Sequence, residues 1–221
     1  MKMKPDYDRA AAAAAETLLK YDIFSGPVDP LPILKRIPGV LVLSYETVSN
    51  TVRMDRSCVI SMFGDQNQDA FSSVNIKDGK ARYLVTYNQR LPFHFIQRAL
   101  ARELGHIILG HDGSRPDEVR TEEAICFANH LLCPRPVIRM VQESGVRLTE
   151  DVLVNLTGCH HHCLSCMRKL PPIHVPAELN QSVRWNFAAY VSDYIDFELR
   201  HPPVEELALA DLGSYMEGYD E

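Results

Sequence analysis

The spacing of apolar and polar positions divides the chain into an early part with strand-like segments and a later part with helical ones. The alanine-rich residues 5–19 predict a surface helix, because alanine has the highest helix propensity. Proline and glycine then bracket a short helix near residues 31–36 and a strand near residues 40–45. The apolar run CVISMFG, residues 58–64, is interpreted as a second strand.

A hairpin follows in the segment AFSSVNI, KDGK, ARYLVTYN, residues 70–88. Asp78 and Gly79 are suited to the positive backbone angles that a tight two-residue turn requires. Together these strands predict a small, mostly antiparallel sheet.

From Phe93 onward the apolar residues recur with a helical period. The stretches with this period are residues 93–110, 118–132, 134–144, 149–156, 160–169 and 183–199. A chain in which strands precede helices is typical of an α+β fold. We therefore expect a small sheet with one helix packed on it and a helical C-terminal half.

The proline-rich segment LPPIHVPAEL indicates a break in the organisation of the chain. We expect residues 1–170 to form one domain, and residues 171–200 to form a linker and a helix that packs on it. Residues 201–221 are acidic and interrupted by proline, which is typical of a flexible tail.

Composition narrows the function classes. A formal net charge of −6 without a long run of Lys and Arg disfavours direct nucleic-acid binding. No stretch of 18 apolar residues is present, and the N-terminal alanine run is followed by Glu16 and Lys20, unlike a signal peptide. We expect a cytoplasmic protein that does not span a membrane, with its six cysteines reduced.

The stretch RALARELGHIILGHDG, residues 98–113, carries the chemistry. Zinc hydrolases of the H-E-x-x-H type place two histidines at positions i and i+4 of a helix, so that both bind one metal ion, and the glutamate between them activates a water molecule. Here the five residues run from Arg102 through Glu103 to His106. Arginine stands where the first histidine of the pattern is expected.

The segment EAICFANHLLCP, residues 123–134, provides a second motif. With this motif and the preceding hairpin, most of the chain resembles the ImmA/IrrE family of metallo-endopeptidases. The resemblance implies a zincin-like fold and a zinc cofactor. It also implies that Glu103 is the general base and that His106 and Glu123 are metal ligands.

The resemblance further implies a protein substrate. Active members of that family are endopeptidases of phages and mobile elements that cut a repressor of helix-turn-helix type. Two functions follow for this chain. It is either a metallopeptidase with a weakened or rebuilt site, or a pseudopeptidase that binds a partner protein through a retained cleft without cutting it.

Arg102 bears on whether a metal is bound. A catalytic zinc of this class has three protein ligands and an open position, and a guanidinium has no lone pair to offer. One hypothesis is that Arg102 neutralises both Glu103 and Glu123 in place of the metal. The alternative is that zinc is held by His106 and Glu123 together with a recruited histidine, either His111 or His130.

The octet CHHHCLSC, residues 159–166, holds three cysteines, Cys159, Cys163 and Cys166. Their spacing matches a radical-SAM iron–sulfur motif, but too little chain follows to build the barrel of such enzymes. A structural metal site is one interpretation. The other is a packing helix, because the three thiols fall at i, i+4 and i+7.

Overall fold

The structure is a computed structural model that describes residues 3–62, 69–159 and 172–200. Its helices are α1 (Tyr7–Lys20), α2 (Pro30–Arg36), α3 (Tyr45–Val52), α4 (Arg56–Met62), α5 (Phe93–Ile108), α6 (Asp117–Leu132), α7 (Arg135–Glu143), α8 (Glu150–Thr157) and α9 (Ala177–Arg200). Its strands are β1 (Val40–Ser44), β2 (Ala70–Lys77) and β3 (Lys80–Tyr87). The predicted α+β class is confirmed.

The chain forms two compact units. One contains residues 29–124, and the other contains residues 1–28 together with residues 125–221, of which 160–171 and 201–221 lie outside the described residues. The boundary along the chain falls inside α6. The domain end predicted near residue 170 lies among the residues that the structure does not describe.

The unit of residues 29–124 is built on a three-stranded sheet in the order β1, β3, β2. β2 and β3 form the predicted hairpin, and both turn residues have positive φ, 53° at Asp78 and 70° at Gly79. β1 pairs with β3 in parallel, and β2, which follows β1 through α3 and α4, runs opposite to both. The sheet is therefore mixed, with β2 as an edge strand.

The strand predicted at residues 58–64 is wrong. Up to Met62 the chain is instead the helix α4, and the backbone N–H of Val59 donates to the Asp55 carbonyl at 3.1 Å, one helical turn back. Val59 is buried while Cys58 and Met62 are exposed. A seven-residue apolar run has too few positions to separate a helical period from an alternating one.

The helix α3 was also missed, because the apolar pattern of β1 continues into Tyr45. The strand ends at Ser44, whose hydroxyl oxygen accepts a hydrogen bond from the backbone N–H of Thr47 at 3.1 Å. A serine in this position satisfies one of the free N–H groups at a helix start. Ser44 is therefore both the last residue of β1 and the N-cap of α3.

α5 carries the motif and packs on the sheet. It contacts β2, β3 and α2, and its apolar stripe is buried at Leu100 and Leu104 against a core that includes Val85 and Ile33. Helical periodicity over 16 residues makes such a stripe easy to recognise, which is why the prediction of this helix is confirmed.

The other unit contains α1 and α9, which contact each other, and α7, which contacts α9. The buried face of α1 combines small residues, including Ala10, Ala11 and Ala14, with Leu18. α9 buries Val183, Phe187 and Val191. It begins at Ala177, six residues before the predicted start, because proline is compatible with a helix N-terminus and Pro176 accepts the first turn's hydrogen bonds.

Several predictions fall on residues that the structure does not describe. They are the helix at 160–169, the tail at 201–221, and Cys163 and Cys166 of the octet. Within the described ranges, no helix combines the length and the apolar character that crossing a membrane requires.

The close approach of Gly26 to α8 and α9 predicts a stability change. A Cβ added at Gly26 meets the Leu156 carbonyl oxygen at 2.6 Å and the Tyr190 hydroxyl at 2.9 Å. We expect Gly26→Ala to lower the free energy of unfolding by about 2 kcal/mol, because overpacking against backbone cannot relax cheaply. Urea denaturation measures this, and Gly113→Ala, where an added Cβ meets nothing within 4 Å, is the matched control.

Candidate functional site

A cleft of about 530 Å³ lies between the motif helix α5, the edge strand β2 and the start of α6. Its lining residues are Phe71, Ser72, Ser73, Val74, Tyr83, Arg102, Glu103, His106, Ile107, His111, Asp112, Gly113, Asp117, Arg120 and Thr121. All of them belong to the unit of residues 29–124. The structure thus brings Arg102, Glu103 and His106 together in one concave site.

Glu103, the expected general base, is bonded at both carboxylate oxygens. Arg102 donates to Oε1 from Nε at 3.2 Å and from Nη2 at 3.1 Å, and Ser72 Oγ donates to Oε2 at 2.6 Å. Arg102 Nη2 also donates to the Ala70 carbonyl oxygen at 3.2 Å, which ties the guanidinium to β2. Arg102 therefore points into the cleft and pairs with its neighbour.

The protonation of Glu103 reflects competing effects. The side chain is almost fully buried, and this burial raises its pKa above the usual carboxyl value. The nearby charge of Arg102 and the hydrogen bonds from Ser72 and Arg102 act in the opposite direction, because they favour the carboxylate. The Arg102 guanidinium is thus the main compensation for a costly buried charge.

Glu123 has a different arginine. Nη1 of Arg115 lies 2.7 Å from both of its carboxylate oxygens, and His111 Nε2 lies 2.9 Å from Oε2. The Glu123 side chain is only 1% exposed. The hypothesis names Arg102 as the residue that neutralises both carboxylates; the hydrogen bonds of Arg102 go to Glu103 and Ala70, and the guanidinium that contacts Glu123 is that of Arg115.

His106 joins the same network through His111. The two Nδ1 atoms are 2.9 Å apart, and the ring planes meet at 69°. Burial lowers the pKa of His106 to about 3, with further lowering from the charges of His111, Arg102 and Arg120. Arg115, Glu123, His111 and His106 thus form one continuous chain of polar contacts.

The position of His111 follows from how α5 ends. The backbone N–H of His111 donates to the His106 carbonyl at 3.0 Å, and that of Gly110 donates to the Ile107 carbonyl at 3.2 Å. This is the Schellman pattern, with Gly110 in the left-handed region at φ 65°. It turns the chain back so that His111 lies beside His106, which helix periodicity alone did not indicate.

His130, the other histidine considered for recruitment, lies in the other unit. Its Nδ1 is 2.9 Å from the Cys126 carbonyl oxygen and 3.7 Å from the Cys126 thiol sulfur. Burial and the charge of Arg135 lower the pKa of His130 to about 4. His130 is thus a buried histidine that contacts a residue one helical turn earlier.

The side chains present do not fit a zinc ion as they are arranged. Arg102 offers no lone pair, and each oxygen of Glu123 lies at hydrogen-bond distance from Arg115. Within residues 3–62, 69–159 and 172–200, no three His, Cys, Asp or Glu side chains form a group that can hold a metal. Glu103, His106 and Glu123 are present, but each already contacts an arginine or a histidine side chain.

Of the cysteine cluster, the structure describes Cys159 alone. It is buried, and its backbone N–H donates to Thr157 Oγ1 at 3.1 Å at the end of α8. Cys163 and Cys166 lie outside the described residues, so the choice between a packing helix and a structural metal site stays a prediction.

Comparisons with protein-family models, with curated proteins and with solved structures found no match to this chain. The resemblance to the ImmA/IrrE family therefore stays an expectation that rests on the motif residues. The geometry of the cleft is the basis on which a function can be argued.

The depressed pKa of His106 predicts acid sensitivity. Between pH 6.5 and about 3 the unfolded chain binds a proton at this histidine and the folded chain does not, so stability falls as the pH is lowered through this range. We expect His106→Gln to make the decline shallower by up to about 1.4 kcal/mol per pH unit. Urea denaturation at a series of pH values measures the slope. The variant His94→Gln removes an imidazole from the same helix outside the cleft and serves as the comparison, and an unchanged slope in His106→Gln would contradict the assignment.

Proposed function

We propose that this protein is a metallopeptidase-like protein that binds a segment of a partner protein in its cleft without hydrolysing it. The observation that carries the proposal is the pairing of each motif carboxylate with its own arginine, Glu103 with Arg102 and Glu123 with Arg115. A guanidinium neutralises a carboxylate but cannot polarise a scissile carbonyl as a Lewis acid or lower the pKa of a bound water.

The cleft supports binding of an extended peptide. Four consecutive residues of β2, Phe71–Val74, line it, and β2 is an edge strand of the described sheet. An edge strand can pair with an added strand through backbone hydrogen bonds, while alternate side chains of that strand enter adjacent pockets. Such binding does not depend on a metal ion.

The chemistry of the lining also suits a peptide. Phe71, Val74 and Ile107 provide apolar surface, whereas Asp117 and Arg120 on α6 provide opposite charges. A mixed lining of this kind accommodates both the apolar and the polar side chains of an extended segment. By the family resemblance, a repressor of helix-turn-helix type is the partner that we propose.

A second candidate is a zinc endopeptidase with a rebuilt site. The observation that favours it is the position of His111, which lies 2.9 Å from both His106 Nδ1 and Glu123 Oε2. Two histidines and one glutamate are a ligand set known from catalytic zinc sites. To form such a site here, Arg115 must leave Glu123 and the His111 ring must move from between the other two side chains.

Metal content separates the two candidates. We expect the wild-type protein, incubated with Zn²⁺ and then dialysed, to retain less than about 0.1 zinc per chain by elemental analysis, because a tight site of this class needs three free donors. One zinc retained per chain would contradict the proposal and favour the rebuilt peptidase.

A cleft-filling substitution tests peptide binding. We expect peptides selected on the wild-type protein from a random display library to lose at least about tenfold in affinity, near 1.4 kcal/mol, for Thr121→Trp, because an indole fills the cleft beside α6. Thr51→Trp, at an exposed position on α3, is the matched control.

Mass spectrometry of the bound peptides completes this experiment. We expect them to be recovered intact. Cleaved peptides, or equal affinity for the two tryptophan variants, would contradict the proposal.

A further inference from the structure

Arg115 is the second arginine that pairs with a buried carboxylate of the site, and neither motif contains it. It lies in the loop HDGSRP that joins α5 to α6, and its side chain is about one-third exposed. Its Nη1 nevertheless reaches both oxygens of a carboxylate that is shielded from solvent, at 2.7 Å each. The Arg115 guanidinium thus reaches from a surface loop to the buried carboxylate of Glu123.

Hydrogen bonds of neighbouring residues hold the backbone at Arg115 in place. Arg120 Nε donates to the Arg115 carbonyl oxygen at 3.1 Å, and the Arg120 guanidinium also pairs with Asp117. On the other side, the backbone N–H of Ser114 donates to the Asp112 carboxylate at 2.9 Å. These hydrogen bonds hold the backbone on both sides of Arg115, which favours the approach of its side chain to Glu123.

We propose that Arg115 prevents a metal ion from binding to Glu123, so that Arg102 and Arg115 together replace the charge of a divalent cation. This inference rests on the proposed non-hydrolytic function. Two guanidiniums bring two positive charges, which equals the charge of the zinc ion that the motif implies, and each is bound to one of the two buried carboxylates.

Competition at Glu123 explains why metal is excluded. A zinc ion binds a carboxylate oxygen at about 2.0–2.2 Å. Here both oxygens already have a guanidinium nitrogen at 2.7 Å, and a metal ion placed on either oxygen meets a like charge at short range. Metal binding therefore requires Arg115 to leave Glu123.

Arg102, the arginine in the motif, therefore replaces only half of the charge of a divalent metal ion. Arg102→His alone restores the spacing of two histidines on α5, but it leaves Glu123 closed. Removal of Arg115 as well frees the carboxylate. The effects of the two substitutions on zinc affinity should therefore exceed the sum of the single effects.

Titration of Zn²⁺ into four proteins by calorimetry tests this. They are the wild type, Arg102→His, Arg115→Gln and the double variant. We expect the double variant to bind one zinc per chain at least about tenfold more tightly than Arg102→His, and the wild type and Arg115→Gln to bind none tightly. Arg90→Gln in the Arg102→His background removes an arginine from an exposed pair with Glu46 and should not change zinc affinity.

Equal zinc affinity of Arg102→His and the double variant would overturn the role of Arg115 while leaving the proposed function intact. A wild-type protein that binds one zinc tightly would instead overturn the proposed function. Circular dichroism checks folding, because the substitution Arg115→Gln removes a charge from beside a buried carboxylate. If that variant does not fold, Arg115→Lys with Arg102→His keeps a cation beside Glu123, so we expect the same zinc affinity as for Arg102→His, and a gain in zinc affinity would overturn the proposal.

Discussion

The site depends on one constraint: two carboxylates are buried in the same unit, and their negative charges must be compensated. Glu103 and Glu123 are each less than 5% exposed, and an isolated buried carboxylate costs several kcal/mol unless it is paired and hydrogen-bonded. In a zinc enzyme of the H-E-x-x-H type the metal ion provides much of the compensating charge. Here arginine provides it, at Glu103 from the preceding residue and at Glu123 from a loop.

Under the proposed function, these ion pairs leave a concave cleft that lacks the chemistry of a zinc ion. The ion pairs satisfy the motif residues, so α5 and the start of α6 retain a concave surface beside β2. Arginine is suited to this because its guanidinium stays protonated and donates to two oxygens of one carboxylate. A lysine provides the same charge at a single point but not the planar donor geometry.

The sequence predicted the parts of the fold whose signals are local and long. α5 and α6 have about 16 residues of pattern each, and the turn at Asp78 and Gly79 has a strong residue preference. α4 was misread because its apolar run is short. α3 was missed because its signal is one capping serine, Ser44.

The sequence indicates that Arg102, Glu103 and His106 lie together, but not which side chain pairs with each carboxylate. Arg102, Glu103 and His106 are close in sequence, so one helical turn brings them together. The Schellman end of α5 was readable from Gly110, and it indicates that the chain folds back over the helix. The contact between Arg115 and Glu123 has no such local signal, because it depends on how the loop is held by Arg120.

The central claim is that arginine, and not a metal ion, stabilises the buried carboxylates of the folded protein. The most direct measurement is the thermal unfolding midpoint of the wild-type protein with excess Zn²⁺ and, separately, with a chelator. A ligand that binds only the folded state raises this midpoint in proportion to the logarithm of its concentration. We expect the same midpoint under both conditions; a midpoint that rises with zinc and falls with the chelator would contradict the account.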